Sequence, residues 1–119
     1  MASDATSSIS NADAARLAAL RLLAEQPQLS QRELSAALGL SLGKTHYVLH
    51  ALLDKGLVKA SNFTRSDRKL AYAYVLTPSG LREKLRLTRG FLSRKEHEFE
   101  MLKTTIADLR AELGAQSRP

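Results

Sequence analysis

The sequence contains no cysteine. This excludes disulfides, thiolate metal centres and thiol redox sensing together, and it suits a reducing compartment. Tryptophan is also absent, and aromatics make up only 5% of the 119 residues. A core must therefore be assembled mostly from Leu, Val and Ala, and a core that small gains from a second subunit. No apolar run is long enough to span a bilayer, since residues 17–24 are interrupted by Arg21. Residues 1–15 are small and polar, carry Asp4 and Asp13 and lack an apolar stretch, so no signal peptide is expected. The expected location is the cytoplasm, with no membrane partner. Catalytic signatures are missing too. There is no nucleophile elbow, no pair of carboxylates in a plausible cleft and no cofactor fingerprint, so the chain reads as a non-enzyme without a cofactor.

Positive charge is present, and it is concentrated. Residues 57–95 hold ten basic side chains against two acidic ones, a net of +8, whereas residues 1–56 are neutral and residues 96–119 carry −2. A basic segment of this kind suits a polyanion. The plain alternative is a solvated basic face, and charge alone does not choose between them.

Residues 1–10, rich in Ser and Ala, read as a disordered tail. Asn11 is placed to cap a first helix to about Gln26, with Leu17, Leu20 and Ala24 as its apolar stripe. Pro27 ends it. Ser30-Gln31-Arg32-Glu33 is a capping box, and the helix it opens turns Leu34, Ala37 and Leu38 inward before Gly39 stops it. Ser41 caps a third helix that reaches Lys55 and ends at Gly56, with Thr45, Val48, Leu49, Leu52 and Leu53 on one side. Two helices joined at Gly39-Leu40-Ser41 describe a helix-turn-helix.

The period then changes. Residues 57–63 are β-compatible, and Tyr72-Ala73-Tyr74-Val75-Leu76 alternates at period two. The polar stretch between them carries Arg65, Ser66, Arg68 and Lys69. A hairpin directly after a helix-turn-helix is the layout of a winged helix. Thr77-Pro78 restarts a helix, with Thr as N-cap and Pro where its missing N–H is harmless. Leu85, Leu92, Phe99, Ile106 and Leu113 recur every seven residues, and Leu81, Leu102 and Leu109 fill the interleaved position that Thr88 and Lys95 dilute. These eight apolar residues predict a coiled coil roughly 50 Å long that holds a homodimer. In parallel pairing, Glu98 would lie beside Lys103 of a second copy, whereas antiparallel pairing would bring Arg89 near Lys103, and both orientations stay open with parallel preferred. The expected fold is mainly α with a small β-hairpin, a winged helix-turn-helix over residues 11–77, a coiled-coil helix over 78–113 and a tail over 114–119.

On the third helix the core stripe faces one way, while Gly43, Tyr47 and His50 face the other, beside Leu42, Lys44 and His46. This is the surface expected to enter the major groove of double-stranded DNA. Arg65, Ser66, Arg68 and Lys69 are expected to reach the backbone or a minor groove. Two other patterns are weaker. Gly39 to Thr45 resembles a phosphate-binding loop but has three residues between its glycines where four are needed, and it follows a helix rather than a strand. His46, His50 and Asp54 sit at metal-compatible spacing without any cysteine to support them, so no metal is expected. The rival reading for the whole chain is a winged-helix adaptor that binds another protein through its coiled coil.

The order of these residues resembles the MarR family of winged-helix transcriptional regulators. Ser30-Gln31-Arg32-Glu33-Leu34-Ser35, the segment from Gly39-Leu40-Ser41 to Leu57-Val58, and Leu76-Thr77-Pro78-Ser79-Gly80 carry the likeness. Gly39-Leu40-Ser41-Leu42-Gly43-Lys44, Asn62-Phe63, Lys69 to Tyr74 and Leu87-Thr88-Arg89-Gly90-Phe91-Leu92 look like its branch of exopolysaccharide-associated (EPS-associated) regulators. That resemblance, over roughly residues 14–113, implies a bacterial regulator of exopolysaccharide genes. The small-molecule effector is left unknown.

Overall fold

The computed structural model describes residues 10–64 and 70–116. It has a helix α1 (Asn11–Glu25), a helix α2 (Gln31–Leu38), a helix α3 (Leu42–Asp54), a hairpin of strands β1 (Val58–Thr64) and β2 (Leu70–Leu76), and a long helix α4 (Pro78–Gln116). The result is a winged helix with one elongated appendage, as the sequence leads one to expect.

Local rules set most boundaries. Ser10, not Asn11, caps α1, its hydroxyl accepting from Asp13 N at 3.1 Å, so Ser10 belongs to the fold and not to the tail. The inward stripe of α1 is Leu17, Ala19, Leu20 and Leu23, while Ala24 faces solvent. Leu23 buries far more apolar surface than Ala24, which decides the rotation of the helix about its axis. At α2 the capping box forms as expected: Ser30 Oγ accepts from Glu33 N at 3.1 Å, and Glu33 Oε1 accepts from Ser30 N at 2.9 Å. Such a cap is worth about 1 kcal/mol. Ala37 does not turn inward; Ser35 is buried instead, its hydroxyl donating to the Leu40 carbonyl beneath the turn. Gly39 takes φ +68°, which lets its N–H and that of Leu40 close on Ala36 O and Ser35 O.

Ser41 Oγ accepts from Lys44 N at 3.1 Å and starts α3, and the buried Thr45 hydroxyl donates back to Ser41 O at 2.9 Å. Leu49 and Leu52 lie below Thr45 and join Leu17, Leu20, Leu23, Leu34, Leu57, Val58, Tyr74 and Leu87 in one core. β1 and β2 pair antiparallel from Val58↔Leu76 to Thr64↔Leu70. The first strand starts one residue later than expected, because Leu57 is a buried link whose N–H still serves Leu52 O at the end of α3. On the other edge of β2, Tyr74 N donates to Pro27 O at 2.9 Å, which ties the turn after α1 to the wing.

The base of α4 is locked to the end of α3. Thr77 N donates to Leu57 O, its hydroxyl donates to Gly56 O, and the same hydroxyl accepts from Gly80 N at 3.0 Å as the helix cap. Gly80 lies so close to this junction that a Cβ there would sit 1.9 Å from the Leu57 carbonyl oxygen. From this point α4 runs unbroken through Gly90 to Gln116, three residues beyond the expected end at 113. At 39 residues it is about 58 Å long and accounts for most of the 77 Å length of the molecule.

Candidate nucleic-acid interface

Two faces of α3 differ sharply. Thr45, Leu49 and Leu52 are no more than 1% exposed, so the helix is fixed in rotation about its axis. Leu42, Gly43, Lys44, His46, Tyr47 and His50 all lie on the open side. Tyr47 is 76% exposed, a large amphipathic ring with most of its surface in solvent. The His46 and His50 rings lie with centroids 4.1 Å apart and tilted by 48°, and His46 Nδ1 is 3.3 Å from Gln31 Oε1 on α2. The structure thus gathers five side chains and one bare glycine on a single convex ridge, with α2 crossing behind it. A hollow of about 400 Å³ opens beside the ridge, lined by Arg16, Lys44, Tyr47, Val48 and Lys55 among others.

Arg65, Ser66, Arg68 and Lys69 lie outside the described residues. The described part of the hairpin offers Lys59, exposed on β1. His46, His50 and Asp54 are not gathered into a metal-binding group among the described residues, and Gly39 to Thr45 forms the turn of the helix-turn-helix followed by the first residues of α3.

The second surface is on α4. Leu81, Leu85, Leu92, Phe99, Leu102, Ile106, Leu109 and Leu113 are between 39% and 71% exposed. The helix packs on its own domain at Gly80, Leu87 and, in part, Phe91, and these eight side chains stay largely outside that contact. Met101 is also 58% exposed and stands outside the heptad positions, so heptad counting passes over it. Lys95, at a heptad position, is 3.2 Å from Glu98, and Arg94 reaches the same carboxylate at 3.1 Å. These two cations, Lys95 first, hold the Glu98 carboxyl below its ordinary range.

An ion cluster that sequence reasoning missed clamps α4 to α1. Glu83 accepts from Arg86 at 2.7 and 2.9 Å and from Arg16 at 2.9 Å. The Arg86 guanidinium, joined by Arg16, outweighs partial burial and lowers the Glu83 carboxyl to about 2. Arg16 and Glu83 are 67 residues apart, so no local pattern announces their meeting. Gln31 was missed as well, since in the sequence it is simply the residue after a helix cap.

Residues 7–59 match the family model described as winged helix-turn-helix DNA-binding. No curated protein matches the chain. Among solved structures, the chain is similar to the PcaV transcriptional regulator from Streptomyces coelicolor with its natural ligand, at 21% identity over 87% of this chain and 74% of that one, TM-score 0.61. It is similar to the MarR family protein Rv2887 of Mycobacterium tuberculosis in complex with p-aminosalicylic acid, at 20% identity over 84% and 77%, TM-score 0.58. A third likeness is to the repressor CouR, known from Rhodococcus jostii RHA1, bound to a 23-mer DNA duplex, at 23% identity over 86% and 72%, TM-score 0.56. At these identities the likeness establishes a shared winged-helix fold. Among the described residues no helix is long and apolar enough to cross a membrane.

Proposed function

We propose that this chain is a MarR-type, sequence-specific DNA-binding transcriptional regulator that acts as a homodimer. The observation that carries the reading is the outer face of α3, where Tyr47, His46, His50 and Lys44 stand exposed on a helix whose inner face is immobilised. Such a helix has the shape and the donors and acceptors to enter a major groove. Leu42 and Gly43, at its first turn, allow close approach to base edges. Arg65, Ser66, Arg68 and Lys69 supply the backbone grip on the adjacent groove. CouR, with the same fold, is bound to a DNA duplex in its structure, which supports DNA as the partner.

Dimerisation is assigned to the α4 stripe from Leu81 to Leu113, which is longer than its own domain can cover. A second copy of the same helix fits it, with Glu98 beside Lys103 of that copy in parallel pairing. The likeness to exopolysaccharide-associated regulators proposes exopolysaccharide biosynthesis genes as the target. PcaV and Rv2887 hold small molecules in their structures, and an effector is proposed here by analogy alone.

The test is binding of the purified protein to its own upstream DNA and to random DNA across a salt series. Tighter binding to its own promoter, weakening steeply with salt, supports the reading. Arg68→Ala should weaken binding to every sequence and flatten the salt slope by about one unit. Absence of binding even at low salt would overturn the reading in favour of a protein-interaction adaptor.

A further inference from the structure

The contact between α2 and α3 at Gln31 and His46 bears on which base the ridge reads. Gln31 Oε1 faces His46 Nδ1 at 3.3 Å, and both side chains lie at the exposed surface of the helix-turn-helix. An amide oxygen only accepts, so this contact is a hydrogen bond in the tautomer that carries its proton on Nδ1, which then donates to Gln31. In a neutral imidazole that leaves Nε2 without a proton, its lone pair directed away from Gln31. In the major groove a lone pair meets a partner only at an exocyclic amino group, N4 of cytosine or N6 of adenine. The N7 and O6 atoms of guanine are acceptors and repel it. Beside His46, the His50 ring lies with its centroid 4.1 Å away and tilted by 48°, which limits the rotation of the His46 ring.

We infer that Gln31 is a positioning residue that fixes the tautomer of His46, so that His46 reads the amino group of a cytosine or adenine in the operator. The inference rests on the proposed groove-binding role of α3 and deepens it. Protonation of the imidazole converts Nε2 into a donor, and the same position then suits guanine or a phosphate. The charged and titratable groups on the two helices around His46 are Lys44, Tyr47, His50 and Asp54 on α3, and Arg32 and Glu33 on α2, with Glu33 already serving the cap at Ser30.

Selection from randomised DNA duplexes tests this with the full chain, using wild type, Gln31→Glu, Gln31→Ala and His46→Ala at pH 8. The glutamate variant is decisive because at pH 8 a carboxylate can only accept, which forces the proton onto Nδ1. Wild type and Gln31→Glu should share a preference of about fivefold for cytosine or adenine over guanine at one position at pH 8. Gln31→Ala and His46→Ala should lose that preference while keeping the rest of the selected sequence. Circular dichroism of each variant checks that the fold persists. A wild-type sequence preference that neither alanine variant alters, or a move to guanine in Gln31→Glu at pH 8, overturns this inference and leaves the regulator reading standing. A wild type that selects no sequence at all overturns both.

Discussion

Leu87 and Phe99 lie on one continuous helix, yet Leu87 is fully buried and Phe99 is 57% exposed. The first part of α4 belongs to the winged-helix core. Its later part, from about residue 95 onward, is exposed throughout. Helix propensity and heptad spacing do not distinguish the two parts, since both carry Leu at regular intervals. What differs is tertiary company: Gly80 against the Leu57 carbonyl, Leu87 in the core and Glu83 in its clamp, against a stripe with only solvent beside it. An isolated helix end is marginal in water, so the exposed part gains order from whatever covers it. Substitutions in the anchored part should therefore act on the folding of the domain, and those in the exposed part on association.

The largest effect is expected at Gly80. A methyl group there collides with backbone at the junction of α3, the wing and α4. No flexible side chain is available to give way, so Gly80→Ala should cost about 3 kcal/mol or more, read as a lowered urea midpoint of the whole domain. A midpoint within error of wild type would mean that the junction is not closed in solution. The counterpart in the exposed part is Ile106→Asp. It should leave the urea midpoint of the winged helix intact and convert the proposed dimer to monomer in sedimentation velocity, weakening association by about a hundredfold or more. Retention of the dimer would remove the α4 stripe from the interface.

How legible this division was depends on the range of the interaction. The caps at Ser30, Ser41 and Thr77 and the turn at Gly39 are set by neighbours within five residues, and the sequence shows them. Ser10 displaced Asn11, and Leu23 displaced Ala24, because those choices depend on which competing group fills the core or reaches an amide. Arg16 with Glu83, and Gln31 with His46, meet only once the chain has folded back, and neither pair has a local signature. Gly80 appeared in a recognisable motif, but its reason, the approach to Leu57, is tertiary. Of the candidate contact residues, those on α3 could be read because the buried stripe of the helix fixes its outer face by subtraction.

Glu83 carries the next effect. Its carboxyl titrates near 2 in the folded protein and near 4.5 as an unperturbed group. The folded value is the lower one, so the clamp contributes its full stability above about pH 4.5 and loses it as the pH falls towards 2. Glu83→Gln should cost about 2 kcal/mol at pH 7, after allowing for the exposure of Arg86, and should flatten the acid limb of stability in that window. Equal acid sensitivity in wild type and variant would assign that limb to other carboxylates.

The smallest effect tests the same chemistry in the other setting. Glu100 and Lys103 are spaced as Glu83 and Arg86 are, three residues apart, with a comparable separation of 3.1 Å. Their side chains are 66% and 55% exposed, however, and Glu83 is 16% exposed. Water screens the exposed pair, and fixing two long side chains offsets most of the Coulomb gain. Glu100→Gln should therefore move the thermal midpoint by no more than about 2 °C and leave the pH 2 to 4.5 limb unchanged. A shift as large as that of Glu83→Gln would show that Glu100 is not in solvent in the assembled protein, and would extend the proposed interface on α4 to this flank.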